Sequence, residues 1–503
     1  MSEAFDKLFR TRASQFAWFL AFALAIRISV FGDTNYFNDE YFYFEAGLRM
    51  HQGLLPYADI WDRKGPGLFL TYWLIAFSSH SVLAFQVAAT LAAAATAYVA
   101  NRIAGHFANR LGAMLGGTLY LVMLTWLGGG GGQTPVFYNL PMALAALAVV
   151  RALPDLRNGR LPSSVFAAMA AAGLAITFKQ TAICESLFLG IFVLGQLHKG
   201  EMPLPRLAAS AFAMALAGAA PMLLAGAFFA LAGHFGEFWH AMVTANLRKT
   251  LDPAGDHWTR IGGLAALFAP AWIPALAGLA LRRSEDQIGR GFLAGWLLAG
   301  IAGVAIVPNF FEHYLLPLCL PASVCAARAL GFGRIGPAFG WFAILFVLLV
   351  SSAFDFPRRA QSREAMAALV SDIRSREAHP RLFVFGGPVD LYRQFDGYPP
   401  TPLFYPLHLY FPAEDNVSHL DTAEEVRKVL AWRPSVVVFY HGVNPAVVNR
   451  RTGPMVQDYI ARNCRLWSTR DLPELYVTQA VDVWGDCATE KSSPGRGGGS
   501  AQR

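Results

Sequence analysis

One stretch of the chain gathers groups able to move a proton and to balance a negative charge. Residues 33–67 read DTNYFNDEYFYFEAGLRMHQGLLPYADIWDRKGPG and hold Asp39, Glu40, Glu45, Asp59, Asp62, Arg63 and Lys64 between strongly apolar flanks. A carboxylate fixed at a membrane surface can take a proton from a hydroxyl or amine and so act as a general base. A nearby lysine or arginine can hold a phosphate and balance its charge as it leaves. Residue content alone suits an ordinary charged loop equally well. A short helix is expected to start at Asn38, which would cap it, with Asp39 and Glu40 in its first turn, where helix polarity favours ionised carboxylates. Gly53 should end that helix, and Gly65-Pro66-Gly67 should form a stiff break before the next one.

The elements around this loop are set by composition. The chain has 503 residues, 55% hydrophobic and only 15% charged, whereas a soluble domain normally carries about a quarter charged residues. Segment 208–227 has no charge at all, and about 20 apolar residues are enough to cross the hydrocarbon core as a helix. We therefore expect a polytopic α-helical membrane protein of about 11 transmembrane helices, at about 15–32, 82–100, 112–128, 134–150, 163–179, 182–198, 208–232, 262–281, 291–308, 313–330 and 337–354. Segment 66–79 is apolar but short and starts with Pro66. Reading it as an interfacial or re-entrant helix keeps the basic clusters of every short loop on one side: Arg102 and Arg110; Arg151, Arg157 and Arg160; Lys199 and Arg206; Arg282, Arg283 and Arg290; Arg334. Lys7, Arg10 and Arg12 precede the first span, so that side is the cytoplasm. Arg27, in the outer half of the first span, must snorkel or face a polar cavity. The first span lacks the cleavage pattern of a signal peptide.

The expected organisation is a cytoplasmic N-terminus at 1–14, a transmembrane domain at 15–354 with an outer loop at 33–81, a periplasmic α/β domain at 355–490 and a disordered tail at 491–503. Helices near 360–378 and 421–431 alternate with strands at 381–387 and 435–440. Cys464 and Cys487 can pair in an oxidising compartment. Cys184, Cys319 and Cys325 read as apolar fillers. The glycine run 128–132 reads as a flexible outer turn. No zinc spacing, dinucleotide fingerprint or Walker sequence is present, and the net charge of +7 follows from topology rather than from nucleic-acid binding.

The motifs resemble those of the membrane-embedded GT-C glycosyltransferases of the protein O-mannosyltransferase and aminoarabinose (lipopolysaccharide) transferase type. The likeness rests on Asp39-Glu40, EAGLRMHQG at 45–53, LPYADIWD at 55–62, RKGPG at 63–67 and FEHYLLPLCLP at 311–321. The chain departs from the family at Lys64-Gly65-Pro66, where Lys-Pro-Pro is common. The resemblance implies a GT-C-like fold and an inverting transfer of a sugar from a polyprenyl-monophosphate donor to an envelope glycolipid or other acceptor on the periplasmic face of a bacterial inner membrane. It implies Asp39 as catalytic base with Glu40 beside it, and Lys64, then Arg63 and Lys179, on the donor phosphate. From their place near the outer face, Glu312, His313 and Tyr314 can line the cavity or merely cap and anchor their helix. Arg248, Lys249 and His257 can contact substrate or form a solvated basic patch. Lys179 can also simply snorkel, and Asp62 is a further candidate contact. Asp62 can also simply pair with Lys64 or Arg63. No cofactor is predicted; basic side chains alone can manage a monophosphate leaving group, although His313 with acidic neighbours could accept a divalent ion. Two other readings stay open: a transporter or flippase for lipid-linked sugar, and a noncatalytic subunit of envelope polysaccharide assembly. An impermeant thiol reagent is expected to label a cysteine placed in 33–65 from the noncytoplasmic side; labelling only from the cell interior would remove the basis of every assignment above.

Overall fold

The computed structural model describes residues 8–247, 257–281, 287–307 and 309–487. Among the described residues, seven helices are long and apolar enough to cross a membrane: Arg12–Val30, Leu83–Ala104, Arg110–Gly129, Thr134–Arg157, Gln180–Lys199, Leu204–Leu231 and Gln287–Ala305. They carry large apolar side chains on their outer surface, such as Leu224 and Leu231, which are 72% and 91% exposed. A water-soluble protein does not present such a belt. The chain is a polytopic α-helical membrane protein.

The expectation of about 11 spans is corrected to seven, or eight if one bent pair counts as a single span. The apolar run persists in sequence where the helix does not. Trp258–Leu267 and Ala269–Ala280 meet at 72°, with Pro270 just after the break. Ser163–Ile176 covers 14 residues and Ile335–Val350 covers 16. Before Cys319–Leu330, residues 312–315 form a 3-10 turn rather than the start of a long helix, and Pro317 and Pro321 interrupt the regular hydrogen bonding. Hydropathy measures apolar length; it does not register where the backbone bends.

The elements that concern the site are α1 (Arg12–Arg27), α2 (Asn38–Met50) and α3 (Pro66–Ala76). At about 1.5 Å per residue, eleven-residue α3 is about 16 Å long, too short to cross. It lies close against α2: a Cβ on Gly47 would come within 2.7 Å of the Tyr72 backbone. Helix α2 ends as expected, with the Gly53 N–H reaching Met50 O and Gly53 at φ +91. Its start differs from expectation. Asn38 is the first helical residue and does not cap; its Oδ1 accepts from the Val389 amide at 3.4 Å.

The C-terminal α/β domain begins with helix α4 (Phe356–Arg376) and carries α5 (Thr422–Ala431) and α6 (Thr452–Asn463). Its four strands, β1 (Leu382–Val384), β2 (Val436–Tyr440), β3 (Arg465–Pro473) and β4 (Thr478–Gly485), form a mixed sheet in the order β1-β2-β4-β3. Strand β1 runs parallel to β2, and β4 is antiparallel to both its neighbours. Cys464, just after α6, is bonded to Cys487, just after β4.

This domain clamps the loop that follows α1. Arg359 Nη1 meets Asp33 Oδ2 at 2.9 Å and Ser362 Oγ donates to Asp33 Oδ1 at 2.8 Å, with both charged side chains fully buried. The Leu475 amide donates to Tyr36 O, and the Trp61 amide to Pro402 O. Since these segments touch, the loop after α1 and the C-terminal domain lie on the same side of the membrane. Removing one partner of a buried ion pair strands the other in low dielectric. Arg359→Met is therefore expected to lower stability by about 3–5 kcal/mol, read as a lower thermal unfolding midpoint in detergent; an unchanged midpoint would show that the pair does not hold the domain down.

Candidate active site

Asp39 and Glu40 are neighbours in the first turn of α2, yet their surroundings oppose each other. Glu40 points inward and is fully buried. Its Oε2 accepts from the Gly132 amide, and its Oε1 has no hydrogen-bond partner among the described residues. Burial pushes its carboxyl well above the usual range; the Arg27 guanidinium opposes this, while the charges of Asp39 and Asp33 add to it. The protonated form of Glu40 is thus favoured more than that of an ordinary glutamate.

Asp39 is half-buried. Tyr405 Oη donates to its Oδ1 at 2.6 Å and Tyr43 Oη to its Oδ2 at 3.3 Å. Burial works against its charge, but the Lys64 ammonium, the His313 imidazole and the Tyr405 hydroxyl together hold its carboxyl below the usual carboxylate range. Two adjacent carboxylates pushed apart in this way suit one as a base and the other as a fixed neutral group.

The glycine run explains how Glu40 is held. Arg27 does not snorkel. It is buried, with Nε donating to Thr90 Oγ1 at 3.1 Å, Nη2 to Gly131 O at 2.6 Å and Nη1 to Gly129 O. Tyr72 Oη donates to Gly132 O at 2.6 Å. Residues 128–132 are all buried, so the expected flexible turn is in fact a packed segment. Glycine is required there by space: a Cβ on Gly131 would overlap the Glu40 carboxyl, and one on Gly130 would overlap Tyr36 Oη.

The basic residues arrive through a second close contact. The Gly65 and Gly67 amides donate to Phe178 O at 3.2 Å and Thr177 O at 2.9 Å. A Cβ on Gly65 would overlap Thr177 O, so the RKGPG turn lies directly on the chain before Lys179. Lys64 Nζ sits 5.2 Å from the centre of the Tyr43 ring, and Lys179 Nζ 4.5 Å from that of Tyr314. Arg63 is paired through Nη2 with Glu414, while its buried Nη1 has no hydrogen-bond partner among the described residues. Gln180 Nε2 donates to Arg63 O at 3.1 Å. Tyr314 lies within the electrostatic reach of Arg63, Asp39 and Glu414.

The structure brings Asp39, Glu40, Arg63, Lys64, Lys179, His313 and Tyr314 into one neighbourhood. His313 packs edge-on to Phe37 and Tyr314, with ring centres 5.5 and 4.6 Å away. Asp62 is buried and accepts from the Lys64 backbone amide at 3.0 Å, shaping the turn. Glu312 is exposed. Arg248 and Lys249 lie outside the described residues, as does the side chain of His257. Among the described residues no group of three or more histidine, cysteine or acidic side chains is arranged to hold a metal ion.

The sequence did not single out Tyr405, Tyr43, Gln133, His408 or Glu414. Among the described residues His408 Nδ1 is buried without a hydrogen-bond partner, a costly arrangement that calls for a reason, and the Gln133 side chain lies close enough to Asp39 to favour its charge. The one available signal was proximity to the loop: Tyr43 is four residues after Asp39, on the same helix face. Because Gly131 has no room for a side chain, Gly131→Ala is expected to cost about 1–3 kcal/mol of stability, measured as a fall in the unfolding midpoint; a neutral effect would mean that Glu40 does not pack as described.

No family model matches the chain, and no curated protein matches it in sequence. Solved structures do match in fold. The crystal structure of ArnT from Cupriavidus metallidurans bound to undecaprenyl phosphate superposes with a TM-score of 0.61 at 14% identity, over 93% of this chain and 97% of that one. The structure of the same protein in the apo state gives 0.61 at 13% identity, with the same coverage. The chain therefore shares the fold of ArnT across the membrane helices and the C-terminal domain together.

Proposed function

We propose that the chain transfers a sugar from a polyprenyl-monophosphate carrier to an envelope glycolipid or other acceptor, on the noncytoplasmic face of a bacterial inner membrane. The observation that carries this reading is a carboxylate held ionised, Asp39, in the same buried neighbourhood as Lys64 and an arginine nitrogen, Arg63 Nη1, that lacks a hydrogen-bond partner among the described residues. The ArnT whose fold is shared was captured with undecaprenyl phosphate, a lipid monophosphate, which supports the donor class. The Cys464–Cys487 bond supports an oxidising compartment for the C-terminal domain. The first outer loop touches that domain and so shares its compartment.

In this reading the acceptor hydroxyl or amine attacks the anomeric carbon and its proton passes to Asp39. The bond from that carbon to the phosphate oxygen breaks, and the electron pair leaves on the phosphate. A single displacement of this kind inverts the anomeric centre. Lys64 and Arg63 stabilise the charge that gathers on the leaving phosphate, and Lys179 reinforces them. His313 and Tyr314 wall the site, and Asp62 fixes the backbone of Lys64. Glu40 holds the glycine segment in place.

The division of labour between the two carboxylates can be tested. Asp39→Asn removes the proton acceptor and is expected to lower turnover by about 10²-fold or more, with the folded protein still in the membrane. Glu40→Gln puts a neutral amide in place of a carboxyl whose protonated form is favoured, and should retain most turnover. Transfer of labelled sugar from a polyprenyl-phosphate donor pool, measured in proteoliposomes, checks both; normal turnover by Asp39→Asn would remove Asp39 as the base.

A further inference from the structure

We propose that the C-terminal α/β domain completes the reaction site through Tyr405, a positioning residue that orients the Asp39 carboxylate and fixes which of its oxygens receives the proton. This rests on the reading of Asp39 as base. Tyr405 lies more than three hundred and sixty positions along the chain from Asp39, immediately before the short helix Pro406–Tyr410. Its ring stacks on Phe42 with centres 4.5 Å apart and planes at 19°. Phe42 is one helical turn beyond Asp39 on α2, so the stack registers the hydroxyl against the carboxylate. His408 packs edge-on to the Tyr405 ring at 5.2 Å and also meets Phe42. The main-chain bond from Trp61 to Pro402 and the Arg63–Glu414 pair hold the flanks of this segment on the loop.

The two oxygens of Asp39 are therefore unequal. Oδ1 receives the short bond from Tyr405 and Oδ2 the longer one from Tyr43, and the Gln133 side chain also lies close enough to favour the charged carboxyl. Oδ2 is the oxygen left with the greater capacity to accept the acceptor's proton. Tyr405 keeps its own proton throughout, since burial and the Asp39 charge push its hydroxyl well above the usual tyrosine range. The charged groups facing Asp39 are Lys64 and His313, with Glu40 adjacent. Tyr43, Tyr72 and Tyr314 also feel its charge. Of all these, Tyr405 is the group contributed by the C-terminal domain. Docking of that domain thus adds a hydrogen bond to the charge support that Lys64 and His313 give Asp39.

The test uses the full chain in lipid nanodiscs. Infrared difference spectra across pH follow the Asp39 carboxyl, identified as the band lost in Asp39→Asn. A hydrogen bond to the charged form lowers a carboxyl pKa, so Tyr405→Phe should move the titration midpoint to higher pH. A ring-fluorinated tyrosine at 405, a stronger donor of the same shape, should move it to lower pH. With a polyprenyl-monophosphate-linked sugar that the unmodified chain turns over, Tyr405→Phe should lower kcat about tenfold, the size of one charge-assisted hydrogen bond, with the donor KM unchanged. A midpoint that moves in neither variant overturns the proposal. Normal turnover by Asp39→Asn is a different failure: it removes the base itself, whatever the midpoint does.

Discussion

Four carboxylates lie within thirteen residues of the loop after α1, and three of them, Asp33, Glu40 and Glu45, are at most 1% exposed. Carboxylates withdrawn from water must be paired, neutralised or hydrogen-bonded. Each solves the problem with a different part of the molecule. Asp33 pairs with Arg359 of the C-terminal domain, Glu45 with Arg49 one helical turn on, and Glu40, its protonated form favoured, rests against a glycine segment that Arg27 holds. Asp39 remains ionised with Lys64 and Tyr405. The first span, the glycine segment, the basic turn and the C-terminal domain are arranged as they are because this loop is buried.

That constraint explains why the domain is more than an appendage. Its contacts run along the whole loop, from Asp33 through Asp39 to Arg49, Trp61 and Arg63. A loop carrying this much charge would otherwise be solvated, and a solvated Asp39 would have neither a fixed direction nor a low-dielectric setting. Electrostatic stabilisation of a leaving phosphate is likewise strongest where water is excluded.

Much of this was legible in the sequence, and the reasons differ by residue. Asp39, Glu40, Arg63 and Lys64 stood out because charges are rare in the chain and these cluster between apolar runs. The helix-strand order of the C-terminal domain followed from local periodicity, as in α5 and β2. The role of the glycine run did not, because its carbonyls are held by Arg27, about a hundred positions away. Tyr405 is an ordinary tyrosine until the chain folds it onto Asp39. The number of long spans was overread where helices bend or stop inside an apolar run, as at Phe268 and around Pro317. Asn38 looked like a cap but is drawn away by the Val389 amide.

The central claim is that a lipid-linked phosphate reacts beside Asp39. It is met most directly by an electron cryomicroscopy structure of the full chain with a polyprenyl monophosphate bound. The phosphate should lie within hydrogen-bond reach of Lys64 and Arg63, with Asp39 open to the carbon it would carry. A phosphate seated elsewhere, with Asp39 walled off from it by protein, would contradict the mechanism.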